Sequence, residues 1–367
     1  MFDRRLVENF DWGLLLLIIM ISSVGLVILY SAVTAGTGLS THIFFKKQMI
    51  WLSGGMGILL ICMIIDFNDL DKLSVLIYIC CIGMLVAVLL FGKVVGGSRR
   101  WLSLGVMTLQ PSELMKIGLI ISLASIYATS VSEEGLTFPK LIKPAIICLI
   151  PFLLITRQPD LGTGLLLLLI AGSMTLFIKL ERRVFFTLFS FGIAVVPMLW
   201  FALKDYQKSR VLTFLNPDRD PLGAGYHIIQ SKIAIGSGMI YGKGYLKGTQ
   251  NALSFLPEQH TDFIVSVLAE EWGFAGCSLL LVLYFFLLFW GLNIAYSCRN
   301  MFGSILAFGI TSMIFWQIFI NIGMVMGLMP VVGVPLPLIS YGGSSVITNM
   351  VGLGILMNIS MRKFRTS

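Results

Sequence analysis

Residues 279–292, LLLVLYFFLLFWGL, contain no charged side chain and would be apolar on every face of a helix. The stretch 13–30, GLLLLIIMISSVGLVILY, has the same character near the other end of the chain. Neither shows the alternation of apolar and polar residues that is typical of a strand in a membrane barrel. Because only helices and closed barrels satisfy every backbone polar group inside a bilayer, both runs predict transmembrane helices.

The composition extends this prediction to the whole chain. The 367 residues are 57% hydrophobic and 12% charged with a mean hydropathy of +0.92, whereas about a quarter of the residues in a soluble domain are charged. Runs of about 20 apolar residues are long enough to cross a bilayer as a helix. They predict ten spans, at 12–34, 46–65, 72–92, 112–130, 140–156, 161–178, 184–203, 263–295, 303–325 and 343–361. We therefore expect an all-α polytopic membrane protein in which residues 1–367 form a single integral membrane domain.

Two local alternatives concern the N-terminus and the cysteines. A cleaved signal peptide is the alternative for the first run, but its length favours a retained span. The six cysteines lie within or at the ends of apolar runs, and no two of them form a C-x-x-C motif. Disulfides and a zinc site are therefore disfavoured, and we interpret the cysteines as small hydrophobic residues.

The distribution of lysine and arginine predicts the orientation. The short loops on one side hold twelve of these residues and those on the other side hold six, so both termini should be cytoplasmic. The long loop 204–260 is then extracytoplasmic. Its stretch 225–248, GYHIIQSKIAIGSGMIYGKGYLKG, is too short in its apolar part to cross the bilayer, and predicts an interfacial or re-entrant helix.

The long loop is also basic. A solvated loop is the simple interpretation, and a surface that gathers an anionic lipid head group at the outer leaflet is the functional one. The basic residues of the loop are Lys204, Lys208, Arg210, Arg219, Lys232, Lys243 and Lys247.

A carboxylate and an amine are predicted to pair inside one span. In 96–116, GGSRRWLSLGVMTLQPSELMK, Pro111 suits the first turn of a helix and places Glu113 near its start. Lys116 follows three residues later on the same face, where it can pair with Glu113. Helix capping alone explains Glu113, but a buried pair beneath an outer loop that contains Arg99, Arg100 and Trp101 favours a functional site.

Two further carboxylates open apolar runs. In 157–164, RQPDLGTG, Asp160 follows a proline, and capping of the next helix explains it as well as function does. In 257–263, PEQHTDF, Glu258 and His260 lead to Asp262, which immediately precedes a long span and is equally explained as a helix cap. Glu270 and Glu271 lie deeper, where burial requires partners, and we interpret both as structural.

Residues 330–345, PVVGVPLPLISYGGSS, contain too many prolines and glycines to be helical throughout. Non-helical backbone at membrane depth is tolerated where it lines a cavity or is covered by protein. This segment can supply amide and hydroxyl donors, including that of Ser344, to an anionic group, and a plain loop is the alternative.

These segments, in this order on a ten-span chain, resemble the SEDS family of shape, elongation, division and sporulation proteins. The matching blocks are RRWLSLG, QPSELMK, RQPDLGTG, LPEQHTDFI, AEEWGFAG and GVPLPLISYGGSS, and they cover nearly the whole chain. The sequence PEQHTDF is more similar to the elongation branch of the family than to its division branch.

The resemblance implies a peptidoglycan glycosyltransferase that polymerises lipid II on the outer face of the bacterial cytoplasmic membrane. It implies that Asp262 is the catalytic aspartate, that Glu113 and Lys116 are the family's buried pair, and that Asp160 and Trp101 also belong to the site. Too little chain lies outside the spans to form a domain that cross-links peptides, so a separate enzyme must do this. The resemblance implies that this partner is a class B penicillin-binding protein, a transpeptidase, and that other elongation-complex proteins also take part.

The chemistry of that reaction agrees with the residues. A diphosphate leaving group needs cations, which the loop 204–260, Arg99, Arg100 and Lys47 can provide. The attacking hydroxyl needs a base, for which Asp262 is suitably placed. Asp262 could instead hold Mg²⁺ or Mn²⁺ against the diphosphate. A lipid II flippase is the alternative function, and a non-catalytic scaffold is a weaker one.

Overall fold

The apolar runs are helices in the computed structural model of the chain, which describes residues 9–34, 41–95, 98–104, 107–130, 135–202, 205–220, 223–253 and 260–362. The helices are α1 (Trp12–Thr34), α2 (Thr41–Ile64), α3 (Phe67–Lys72), α4 (Ser74–Phe91), α5 (Pro111–Ser130), α6 (Phe138–Arg157), α7 (Leu161–Phe177), α8 (Arg182–Ala202), α9 (Asp205–Leu215), α10 (Ala224–Ser237), α11 (Thr249–Ala252), α12 (Ile264–Ser297), α13 (Met301–Val325) and α14 (Gly343–Arg362). A 3₁₀ turn at Pro217–Arg219 lies between α9 and α10.

Each predicted span corresponds to one of these helices, with ends shifted by a few residues. Eight of the described helices, α1, α2, α4, α5, α6, α12, α13 and α14, are long and apolar enough to cross a membrane. Helix α7 is apolar but shorter, and α8 corresponds to the predicted span 184–203. The fold is therefore the predicted all-α polytopic membrane architecture.

Helices α5, α13 and α14 form the centre of the bundle. Most of their side chains are buried, whereas α2, α4 and α6 expose many large apolar side chains. Close packing at the centre depends on small residues: a Cβ on Gly352 of α14 would lie 3.2 Å from Ile310 of α13 and 3.4 Å from Ile117 of α5. Exposed apolar surface of this extent is typical of helices that face lipid.

A short antiparallel sheet covers the start of α5. Its strands are β1 (Lys93–Val95), β2 (Ser98–Leu104) and β3 (Met107–Leu109), with β2 in the middle. The register pairs Val94 with Arg99 and Leu102 with Leu109. This sheet was not predicted from hydropathy, and it carries Arg99, Arg100 and Trp101 of the candidate site.

The long helix α12 is broken near its start. Gly273 has φ +64° and ψ −159°, which lies outside the helical region and favours glycine. The main chain of the preceding loop fills the break: the Phe274 and Ala275 N–H groups donate to the carbonyls of Met239 and Ile240, at 2.8 and 2.9 Å. The backbone groups released by the break are therefore satisfied by the loop.

Candidate active site

The candidate site lies where several helices begin at the same end of the bundle. Asp262 precedes α12, Asp160 precedes α7, and Glu113 lies in the first turn of α5. The non-helical segment 330–342 leads into α14 at this end and bonds to the residue before Asp262, while Gln110, which precedes α5, bonds to both Ser344 and Asp160.

The segment 330–342 is fastened to the turn that contains Asp262. The Ser340 hydroxyl donates to the Thr261 carbonyl at 2.6 Å and accepts from the Leu336 N–H at 2.9 Å. The Tyr341 N–H donates to the His260 carbonyl at 3.0 Å. Residues 336–340 of this non-helical backbone are all buried, while Gly333 is exposed.

Gln48 of α2 holds the same segment from the other side. Its side-chain amide donates to the Ser340 carbonyl at 3.2 Å and accepts from the Gly342 N–H at 3.4 Å. Sequence analysis did not select Gln48, since a single glutamine after two lysines at the start of a span gives no sign of what it contacts.

The Asp262 side chain lies against Gly333. A Cβ on Gly333 would be 3.4 Å from Asp262 Oδ2, and Gly333 has φ +72°, a conformation that other residues rarely adopt. The glycine therefore allows the backbone of segment 330–342 to pass close to the carboxylate. Asp262 is half-buried, so its carboxylate lies at the boundary between the protein interior and the surface.

Asp160 forms the centre of a second polar cluster. It caps α7 by accepting from the N–H and hydroxyl of Thr163, at 3.3 and 3.0 Å. It also accepts from the Gln110 side chain at 3.2 Å and lies 3.7 Å from the Arg100 guanidinium. Arg100 further donates to the carbonyls of Gln158 and Pro159. Asp160 is thus both a helix cap and an ion-pair partner.

Ser344 connects this cluster to the start of α14. Its hydroxyl accepts from the Gln110 N–H at 3.1 Å and donates to the Thr108 carbonyl at 3.4 Å. Because the Gln110 side chain also contacts Asp160, the structure brings Arg100, Asp160 and Ser344 into one network.

Glu113 and Lys116 form the ion pair that their spacing predicts. Lys116 Nζ lies 2.8 Å from Glu113 Oε2, and their side chains are 0% and 5% exposed. The pair is therefore enclosed by neighbouring helices.

The remaining predicted residues are more peripheral. Lys47 and Arg99 are exposed, and Trp101 is half-buried on β2. Arg210 of α9 donates to the Val331 carbonyl at 3.2 Å, which places a cation beside segment 330–342. The His260 ring lies 5.0 Å from the ring of Phe44 and 5.9 Å from that of Tyr341. Glu258 lies outside the described residues.

Burial affects the acid–base behaviour of Tyr341. Desolvation raises the pKa of its phenol, because loss of water disfavours the phenolate. Tyr341 is therefore a neutral hydroxyl beside His260 at physiological pH.

Lys243 belongs to a separate cluster. Its ammonium lies 2.7 Å from Glu270, which also accepts from the Thr249 N–H at 2.8 Å and the Gln250 N–H at 3.1 Å. Glu271 accepts from the Ser31 hydroxyl. Both glutamates therefore have buried partners, as the structural interpretation expects, and Lys243 is paired with Glu270 in the loop.

The fold is that of a polytopic membrane protein with a polar site at one end of the helix bundle. The site combines the carboxylates of Glu113, Asp160 and Asp262 with the non-helical segment 330–342. Residues 11–365 match the FTSW_RODA_SPOVE family, described as cell cycle protein. The chain belongs to this family, so its resemblance to the SEDS proteins is confirmed.

Named relatives cover most of the chain. Peptidoglycan glycosyltransferase MrdB of Escherichia coli (strain K12) is 49% identical over 77% of this chain and 76% of its own length. Peptidoglycan glycosyltransferase RodA of Treponema pallidum is 33% identical over 98% of this chain and 99% of its own length.

Solved structures share the fold. One chain, from a study of how a peptidoglycan synthase complex coordinates polymerization and crosslinking, is 31% identical with a TM-score of 0.82, covering 97% of this chain and 99% of that one. The rod shape determining protein RodA of Thermus thermophilus is 28% identical with a TM-score of 0.72, covering 97% and 98% of the two chains.

Proposed function

We infer that this protein is a peptidoglycan glycosyltransferase that polymerises lipid II into glycan strands during cell elongation, on the outer face of the bacterial cytoplasmic membrane. The relatives named for this activity align over most of the chain. The structural observation that carries the inference is Asp262, a half-buried carboxylate fastened beside segment 330–342 at the end of the bundle.

The reaction requires one displacement at the anomeric carbon of the donor sugar. The hydroxyl oxygen of the acceptor forms the new glycosidic bond while the bond from carbon to the diphosphate oxygen breaks. The diphosphate leaves with the electron pair as undecaprenyl diphosphate, and the hydroxyl proton passes to the Asp262 carboxylate. An α-linked donor then gives a β-linked polymer without a covalent sugar–enzyme intermediate.

The departing diphosphate requires positive charge. Arg210 lies beside segment 330–342, and Lys47 and Arg99 are exposed cations on α2 and β2. Such groups lower the barrier by stabilising charge that develops on the leaving group. Arg100, whose guanidinium is held by Asp160, organises the sheet that carries Arg99.

A divalent cation held by Asp262 is the alternative role for this residue. Within the described ranges, which exclude 254–259, no three His, Cys, Asp or Glu side chains form a metal site. Because Mg²⁺ is commonly bound by one or two carboxylates together with substrate phosphates, Asp262 and the diphosphate oxygens are a suitable ligand set. The ion would supply charge stabilisation to the leaving diphosphate. Loss of lipid II binding in a chelator, restored by Mg²⁺ in wild type but not in Asp262→Asn, would support this role.

A flippase is less well supported by the structure. Many secondary transporters bind their substrate near the bilayer midplane between broken helices. Here Asp160, Glu113 and Asp262 all lie at or within one turn of helix starts at one end of the bundle. This position suits chemistry at a membrane surface.

The decisive experiment incubates purified protein with lipid II in detergent and measures glycan strands. Asp262→Asn keeps the size of the side chain and removes its charge, so we expect polymerisation to fall by roughly 10²-fold or more while lipid II binding is retained. Asp218→Asn, an exposed aspartate in the long loop, is the matched control and should be fully active. Near wild-type polymerisation by folded Asp262→Asn would refute its role as base.

We also infer a transpeptidase partner of the class B penicillin-binding type and a topology with both termini in the cytoplasm. A relative of this fold was solved in a peptidoglycan synthase complex, which supports the first inference. Gentle solubilisation from native membranes should recover the partner and a higher polymerisation rate. Full activity of the isolated chain, with no partner recovered, would contradict it.

A further inference from the structure

Asn321 lies near the outer end of α13 and is 0% exposed. Its side-chain nitrogen donates to the Asp262 carbonyl at 3.0 Å and to the Val334 carbonyl at 2.8 Å. A primary amide has two N–H donors, so one side chain provides both hydrogen bonds. Asn321 thereby links the main chain of the turn before α12 to the main chain of segment 330–342.

This link joins the two backbone stretches that determine where the Asp262 carboxylate lies. Val334 follows Gly333, the residue against which Asp262 Oδ2 is placed. The distance between the Asp262 main chain and that glycine is therefore set by the two hydrogen bonds of Asn321. The other fastenings act on neighbouring positions, since Ser340 bonds to Thr261 and Tyr341 bonds to His260.

We propose that Asn321 is a positioning residue for the glycosyl transfer, which fixes Asp262 at the distance and angle that proton abstraction requires. This inference rests on the proposed role of Asp262. Asn321 is fully buried and its amide bonds to main-chain carbonyls, so its removal should affect the chemical step and leave binding unchanged. A displacement of about 1 Å in a catalytic group can reduce a rate by roughly 10²-fold.

The chain contains a matched control at the opposite end of the bundle. Asn358 of α14 is 1% exposed, and its side-chain nitrogen donates to the carbonyls of Cys62 and Met63, at 2.9 and 2.8 Å. It also donates to the Ile65 carbonyl. Leucine at either asparagine keeps the branching at Cγ and removes the donors. Asn358→Leu therefore loses at least as many buried contacts to carbonyls as Asn321→Leu, and the two variants differ in their distance from Asp262.

The test compares Asn321→Leu, Asn358→Leu and Asp262→Asn, each purified as the full chain and assayed with lipid II for kcat and KM. Thermal unfolding in detergent reports the stability of each variant. We expect Asn321→Leu to lower kcat by about tenfold to 10²-fold with KM within about threefold of wild type. Asn358→Leu should lose at least as much stability and keep its kcat.

Three outcomes would overturn the proposal: a wild-type kcat for Asn321→Leu, equal losses of kcat in both leucine variants, or an effect confined to KM. If Asn321→Leu is not recovered folded, Asn321→Ser, which keeps one hydroxyl donor, replaces it in the test. A lowered kcat for this variant would support the positioning role, and a wild-type kcat would refute it. Active Asp262→Asn would refute the base itself. Inactive Asp262→Asn combined with fully active Asn321→Leu would refute the positioning role alone.

Discussion

The buried pair of Glu113 and Lys116 allows stability and activity to be separated by mutation. Lys116→Met keeps most of the length of the side chain and removes its charge, leaving the Glu113 carboxylate without its ammonium partner in an enclosed site. Two unit charges 2.8 Å apart attract each other by about 6 kcal/mol at an effective dielectric constant of about 20. Most of that attraction offsets the loss of hydration, so the measurable quantity is the cost of leaving one charge alone.

We expect Lys116→Met to lower the free energy of unfolding by about 3–5 kcal/mol, the usual cost of breaking a buried pair. The double variant Glu113→Leu/Lys116→Met removes both charges and should recover most of that loss, because apolar side chains can replace a buried pair at little cost. Unfolding in detergent micelles, monitored for wild type, both single variants and the double variant, measures the coupling between the two residues.

Polymerisation of lipid II by the same four proteins tests whether the pair has a function beyond stability. The pair lies directly beneath Gln110, which contacts both Asp160 and Ser344, and we expect the double variant to remain at least tenfold less active than wild type. Unchanged unfolding of Lys116→Met would show that the pair is hydrated and would refute the energetic argument. A stable double variant with wild-type activity would show that the pair is purely structural.

Three further predictions concern other parts of the molecule. Gly333→Ala should lower the unfolding free energy by about 1–2 kcal/mol because Gly333 has a positive φ. It should also reduce kcat because the added methyl group meets Asp262. Unchanged kinetics would mean that the carboxylate does not lie against Gly333. Glu270→Gln should lower the unfolding free energy by about 1–3 kcal/mol by weakening the hydrogen bonds that hold the long loop, with KM for lipid II unchanged. In intact spheroplasts, Arg219→Cys should react with a membrane-impermeant thiol reagent and Arg365→Cys should not, and the reverse pattern would invert the proposed topology.

Much of the helical architecture could be predicted from hydropathy because the bilayer requires long apolar runs to be helical. The break in α12 could not, since Gly273 lies in an apolar run and a single glycine is compatible with an unbroken helix. The small sheet that carries Arg99 also escaped prediction, because its strands are short and contain polar residues that a loop would equally contain.

The candidate site was predictable where its partners are close in sequence. Glu113 and Lys116 are three residues apart, and helix periodicity alone brings them together. Arg100 and Asp160 were selected separately, but their contact depends on how the tertiary fold brings the sheet to the turn that precedes α7. Asn321 and Gln48 were missed because a single side-chain amide within a span does not indicate which backbone groups it will meet.

The insertion of the loop main chain into the break of α12 has a consequence for genetic variation. A Cβ on Gly238 would lie 1.8 Å from the Ala269 carbonyl oxygen, one on Gly242 would lie 2.1 Å from that of Glu271, and one on Gly273 would lie 2.4 Å from the Gly242 nitrogen. The contacts between loop and helix are made by backbone atoms, while the side chain of Tyr241 is 83% exposed. In a library of all single substitutions selected for function, the three glycine codons should therefore tolerate almost no replacement, while the tyrosine codon between them accepts many.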